Sequence, residues 1–436
     1  MGNKPSDFRY NTGLSEVPWA AVGESYTAED IMDLVRFLLQ GDGAEYDTAV
    51  TGVQHALDSL AKIGTPPGKL SLGEKVAELE KEVDAYLGVQ ESTFITNATA
   101  GFEIAYRYAG LKAGDEVLMP AITFIATMAY PLAVGAKVVF VDVDPVTLNM
   151  DPLDMERKIT KKTKIAVPVH IGGYPVDMDP LMEIARKHDI LVLEDAAHAF
   201  GGTYKGRRLG TIGDFGSFSF HEVKNMTSYG EGGVVVSSLP FRKDLKKSRF
   251  LGLDMSKTIE DWLYDVVALE GKSEYFVGNN SSSTEIQAVG LLSQLKRYDK
   301  ILEERYRNTR YLNERLAGCD ALSVQPLGSD DTKPTYHLYL LQIDPEKAGA
   351  DVRVLRKKLA EKGVTTIPHF APMYRFSIVD QLGYDAKAIA NTCPVAENAF
   401  LHTFTHLPIY GLSKKQLDFM ADAILASVEE MQEGLV

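Results

Sequence analysis

The feature that most constrains this chain is an apolar run without alternation, Val138-Val139-Phe140-Val141. A strand with one face in water alternates apolar and polar side chains, because successive residues point to opposite faces. A run with no polar face needs cover on both sides, as in a sheet flanked by helices. Similar short runs recur through the first part of the chain. Strands are expected at residues 92–96, 116–119, 137–143, 165–170, 190–194, 217–220 and 233–237, with helical stretches such as 179–187 between them. The expected fold class is therefore α/β. With 436 residues the chain has room for two or three domains and a large core.

Toward the two ends the pattern changes. Helical spacing covers residues 28–39, 47–61 and 71–87, with a Gly64-Thr65-Pro66-Pro67-Gly68 turn before the last. The final third predicts one long helix from Thr284 to about Leu316, with Ile286, Val289, Leu292 and Leu295 on one face. A strand at 336–343 and helices at 351–362 and 413–431 follow. We divide the chain into an N-terminal arm (1–70), a large domain (71–283), and a connecting helix with a smaller α+β C-terminal domain (284–436).

The formal net charge of −14 argues against nucleic acid or an anionic membrane as a partner, but local cations and amides can still bind a small anion. No apolar run approaches the length of a membrane helix, and residues 1–5 do not begin a secretory signal. Gly2 with Ser6 fits the short myristoylation pattern, but no second anchoring signal is near and the match reads as chance. Cys319 and Cys393 lack metal-ligand spacing, so the expected setting is a reducing cytoplasm with no metal site.

One lysine carries the chemistry. Lys224 closes Phe218-Ser219-Phe220-His221-Glu222-Val223-Lys224-Asn225, and Gly230-Glu231-Gly232-Gly233 follows. Upstream, Asp195 ends an apolar run in Glu194-Asp195-Ala196-Ala197-His198. An acid at one strand end and a lysine just past another suit pyridoxal 5′-phosphate (PLP). Its aldehyde condenses with an amine, and its protonated ring nitrogen needs a carboxylate to remain an electron sink. Alone, a lysine is most often a solvated surface group and an aspartate after a strand a turn or cap. The combination with Ser219, whose hydroxyl can hold a phosphate beside the lysine, favours the functional reading. Asn97-Ala98-Thr99 follows a strand and opens a helical run, and a helix N-terminus stabilises a phosphate. By itself that segment reads as a simple cap.

The order Asp-x-x-His, Ser-Phe-His-x-x-Lys-Asn and Glu-Gly-Gly resembles the sugar aminotransferases of the DegT/DnrJ/EryC1/StrS family, from about Trp19 to the C-terminus. Residues 97–233 are most similar to enzymes that make UDP-4-amino-4-deoxy-L-arabinose. The resemblance implies a fold-type I PLP enzyme with a mixed, mostly parallel seven-stranded sheet between helices. It implies ping-pong transfer of an amino group from glutamate or glutamine to a keto group of a nucleotide-linked sugar. Lys224 would carry the cofactor and shuttle the proton, and Asp195 would pair with the ring nitrogen. His198 would meet the ring hydroxyl, and Phe124 would stack on the ring. Ser219 and the Asn97-Ala98-Thr99 segment would bind the phosphate. Asn280 would reach the phosphate from a partner subunit, so a homodimer sharing active sites is expected.

Two features depart from the family pattern. Residues 41–69 form an insertion, read as a surface elaboration in preference to a substrate lid. Before the long helix the family's Gly-x-Asn-Tyr-Arg-Met becomes Gly278-Asn279-Asn280-Ser281-Ser282-Ser283, so Ser282 stands at the arginine position. Serine cannot clamp a carboxylate or phosphate bidentately. Cyclitol aminotransferases and aminohydroxybenzoate-type synthases would keep the same residues. A PLP-dependent sugar dehydratase would replace the lysine with histidine, and a non-catalytic regulator has no need of Lys224 or Asp195. His337, His369, Tyr374 and His406 are further pocket candidates that spacing does not separate from core or surface residues.

Overall fold

The computed structural model describes residues 26–64, 69–260 and 263–435. Residues 1–25 of the expected arm, with Gly2, Ser6 and Trp19, lie outside the described residues, as do residues 65–68 of the expected turn. Seven strands form one sheet: β1 (Ser92–Ile95), β2 (Glu116–Pro120), β3 (Lys137–Val141), β4 (Thr163–Ala166), β5 (Leu191–Asp195), β6 (Phe215–Ser219) and β7 (Gly233–Ser237). Their order is β1-β7-β6-β5-β4-β2-β3. β7 runs antiparallel to both neighbours, and the other pairs are parallel.

The missing polar face has a direct cause. Val117, Met119, Leu193 and Phe215 enter a core on one side of the sheet, while Leu118, Val192 and Phe218 enter a second core on the other. Truncating the fully buried Leu193 to alanine would leave a cavity and cost about 2–5 kcal/mol. Val139 is only half-buried, because β3 is an edge strand. The strand expected at 165–170 stops at Ala166; Pro168 has no N–H to extend the ladder, and only a bridge from Val169 to Asp195 continues it.

At the N-terminal side, α1 (Ala28–Leu38) starts on a capping box between Thr27 and Asp30. α2 (Ala44–Ile63) packs on α1 and buries none of its described residues. α3 (Glu74–Leu87) begins where the Glu285 carboxylate accepts the amides of Gly73 and Lys75, and α4 (Ala98–Tyr108) covers the sheet beside β6 and β7.

The single long helix is a misreading. Two helices, Glu285–Leu295 and Tyr298–Leu316, meet at Lys296 and Arg297. The break turns Tyr298 inward, where its hydroxyl donates to the Phe200 carbonyl at 2.6 Å. The buried face of the first helix is Ala288, Leu291 and Leu292, while Ile286 and Val289 are 44% and 47% exposed. A third core, with Leu312, Leu341, Leu355 and Ile424, joins the second helix to a small antiparallel sheet of Leu322–Ser323, Tyr339–Ile343 and Phe404–Leu407. The strand expected from residue 336 starts at Tyr339, because Thr335 and Leu338 instead donate to the carbonyls of Gly173 and Gly172. Among the described residues no helix is long and apolar enough to cross a membrane.

Candidate active site

Asp195 is the last residue of β5, and its backbone is held from both sides. Its N–H donates to Pro168 O at 2.9 Å, its carbonyl accepts from His170 N at 3.2 Å, and Ala196 N donates to Ser217 O at 3.0 Å. The carboxylate is buried, yet among the described residues its only hydrogen bond comes from Ala197 N, 3.1 Å from Oδ1. Burial pushes this carboxyl up to about 6, against the Ala197 amide and the positive charge of Lys224.

Lys224 sits on the loop between β6 and β7. That loop is tied by Phe220 N to Gly232 O at 2.7 Å, Glu222 N to Gly230 O at 2.9 Å and Ser228 N to Phe220 O at 2.9 Å. The side chain keeps some surface in the cleft it shares with Asp195, His198, His337 and His369, but is otherwise enclosed by protein. Burial lowers its amine to about 8, with Asp195 pulling the other way. Among the described residues no carboxylate forms an ion pair with Lys224.

The start of α4 lies beside the same loop. Asn97 caps the helix, its Oδ1 accepting from Ala100 N at 3.1 Å. Ser219 pairs with Gly233 across β6 and β7, and a Cβ on Gly233 would fall 2.5 Å from the Asn97 carbonyl carbon and 2.7 Å from Ala98 N. Glycine is therefore required for the approach that sets Ser219 beside the free amides of the helix. Ser217 Oγ ties the strand to the helix, donating to Ala98 O at 2.9 Å. An anion cradle, a buried acid and an amine of lowered basicity thus converge, and these residues fit PLP.

Phe124 is 54% exposed and meets Phe370 edge-on, with ring centroids 6.1 Å apart. Phe370 in turn stacks on His198 at 5.8 Å. His198 is buried and held neutral, and its Nδ1 accepts from Gly172 N at 3.3 Å. His337, just before the strand Tyr339–Ile343, stacks on His198 at 4.3 Å, while His369 lies exposed at the cleft and His406 lies behind it. Tyr374 is a core residue whose hydroxyl donates to Glu397.

Asn280 stands apart within this chain. It is exposed, its Oδ1 accepts from Ser282 Oγ at 2.8 Å, and among the described residues no hydrogen bond joins it to Lys224, Asp195, Ser219 or Asn97. Sequence reasoning missed the pair behind Asp195. Glu194 and His170 are fully buried and 3.0 Å apart; Glu194 also accepts from the amides of Gly210, Ile212 and Gly213. A charged residue inside the apolar run ending β5 was the available signal.

The sheet, the cleft and its lysine define a fold-type I PLP-dependent aminotransferase. Comparisons with known proteins agree. The DegT/DnrJ/EryC1/StrS aminotransferase family model matches residues 58–424. GDP-perosamine synthase of Caulobacter vibrioides is 34% identical, the match covering 81% of this chain and 90% of that protein. A putative L-glutamine:3-amino-2,3-dideoxy-scyllo-inosose aminotransferase of Streptoalloteichus tenebrarius is 38% identical over 67% of this chain and 68% of its own length. The solved putative sugar aminotransferase Spr1654 from Streptococcus pneumoniae, in its PMP form, superposes with a TM-score of 0.73 at 28% identity. It covers 84% of this chain and 94% of that one. The chain belongs to the DegT/DnrJ/EryC1/StrS aminotransferase family.

Proposed function

We propose that the cleft between residues 71–283 and residues 284–436 aminates a keto group on a nucleotide-linked sugar, with glutamate or glutamine as donor. The observation that carries this reading is the meeting, at one cleft, of a buried carboxylate with one hydrogen bond among the described residues, Asp195, and a largely enclosed amine, Lys224. PLP, when bound, supplies an electron-withdrawing ring. Asp195 would hold the proton on its ring nitrogen, Phe124 would cover its face, and His198 would donate from Nε2 to its hydroxyl oxygen. The amides of Ala98 and Thr99, with Asn97 and Ser219, would hold the phosphate. Lys224, with an amine near neutrality, would move the proton at the amine-bearing carbon of the substrate. The donor would leave as a keto acid, and the acceptor's ketone oxygen would leave as water.

A homodimer is part of the proposal. Asn280 is exposed, with no hydrogen bond to the cleft residues among those described, and the exposed Tyr229, Ile286 and Val289 offer apolar surface for a second copy. Ser282 leaves the donor's carboxylate without the arginine the family offers. The inosose aminotransferase relative favours a cyclitol acceptor as the second reading, and its name supports glutamine as donor. The test is the absorbance of PLP-loaded protein before and after glutamate or glutamine, with Lys224→Ala alongside. A Lys224-dependent visible band that bleaches supports the proposal; no such band sinks it. Keto-sugar and keto-cyclitol acceptors then separate the two readings.

A further inference from the structure

Behind Lys224, hydrogen bonds fix the tautomers of two stacked histidines. His198 Nδ1 accepts from Gly172 N at 3.3 Å, so its proton is on Nε2. The adjacent Asn225 donates from Nδ2 to Thr335 O at 3.3 Å, and the same amide lies against the Tyr298 hydroxyl, whose own proton goes to Phe200 O. Those partners orient the amide, leaving Oδ1 toward His337 Nδ1 at 2.9 Å. An amide oxygen only accepts, so His337 carries its proton on Nδ1. The two rings are 4.3 Å apart at 28°, both neutral and of opposite tautomer. His337 is itself fixed: Arg305 Nη1 donates to the carbonyls of Tyr336 and His337 at 3.2 and 3.3 Å.

We infer that His337 is a positioning residue of the reaction. Its Nδ1–H holds Asn225, and with it the loop that presents Lys224, while its ring backs His198. One imidazole thereby sets both the lysine and the group facing the cofactor. This role rests on the cleft being the PLP site. Lys224 faces the carboxylate of Asp195 and the imidazoles of His198, His337 and His369; His337 also faces Arg305 and His406. Loosening the loop would let water reach the amine and restore its ordinary basicity.

The test is the rate at which cofactor-free protein captures PLP, followed from about pH 6 to pH 10, because only the free amine condenses. His337→Asn places an amide N–H where Nδ1–H was; His337→Phe keeps the stacked ring and loses the donor. The wild-type midpoint is expected near the Lys224 value of about 8. His337→Phe should raise it by about half a pH unit or more, whereas His337→Asn should stay within about 0.2 pH unit. Asn225→Ala removes the acceptor instead; it should match His337→Phe and keeps the test open if that variant fails to fold. A His337→Phe midpoint at the wild-type value overturns the inference. So do equal displacements in His337→Phe and His337→Asn that track a common fall in Tm. Wild-type protein that captures no PLP through Lys224 shows that the site reading itself has failed.

Discussion

Glu194 and Asp195 are neighbours at the end of β5 and both are buried, but their surroundings differ sharply. Glu194, turned toward the Gly210–Gly213 segment, receives three backbone amides and His170 Nε2–H. His170 donates from Nε2 because its Nδ1 accepts from Val176 N at 3.1 Å. Asp195, turned toward the cleft, receives one amide. A buried charge is tolerated when its oxygens are satisfied and costs stability when they are not. Glu194 therefore belongs to the scaffold, whereas Asp195 keeps a carboxylate with one hydrogen bond among the described residues, which suits the proposed pairing with a cofactor ring nitrogen.

The largest effect should come from the cleft side. Lys224→Ala should lower kcat/KM by about 10^4-fold or more, measured as the donor half-reaction, because it removes the amine proposed to move the proton. Next is the scaffold side. Glu194→Gln presents an N–H₂ group to a pocket made only of donors and should cost about 3 kcal/mol by urea unfolding of cofactor-free protein. Asp195→Asn, one residue on, should be neutral or stabilising in that assay. If the two variants lose equal stability, the comparison is broken.

Lys224→Met should stabilise cofactor-free protein by about 1–2 kcal/mol near pH 7. Each pH unit separating the folded and unfolded titrations is worth about 1.4 kcal/mol, less a discount for the amine's residual exposure. The folded amine titrates at about 8, below its unfolded value of about 10.5, so its penalty is full below pH 8. The gain should fade as pH rises toward about 10.5. Asp195 works in the opposite window. Its folded carboxyl titrates at about 6, so its penalty grows from about pH 4 and is full above 6. The smallest effect is Ser219→Ala, which removes the hydroxyl proposed to hold the phosphate and should weaken PLP binding about 5–10-fold in a fluorescence titration.

Much of the large sheet was legible. All seven expected strands pair in it, because consecutive apolar residues such as Val117, Leu118 and Met119 serve two opposite cores. The placement of Asp195 at a strand end, of Lys224 just past another and of Asn97 at a helix start was also legible, since strand ends and helix starts are local features that a sequence marks. The helix break at Lys296 and Arg297 was not, because it depends on where Tyr298 finds the Phe200 carbonyl, 98 residues away in sequence. The late start of the strand at Tyr339 depends likewise on carbonyls offered by Gly172 and Gly173. Of four further candidates, only contacts across the fold separate Tyr374, in the core, from His337 and His369 at the cleft and His406 behind it.

The sequence by itself determined the strands of the large sheet and the strand ends and helix start that carry Asp195, Lys224 and Asn97, because those follow from side-chain periodicity and local capping. Tertiary structure alone decided which buried carboxylate is saturated and which is left open. It also decided which tautomer each stacked histidine holds. Both depend on hydrogen-bond donors brought together from distant parts of the chain, and no local pattern encodes where those donors will arrive.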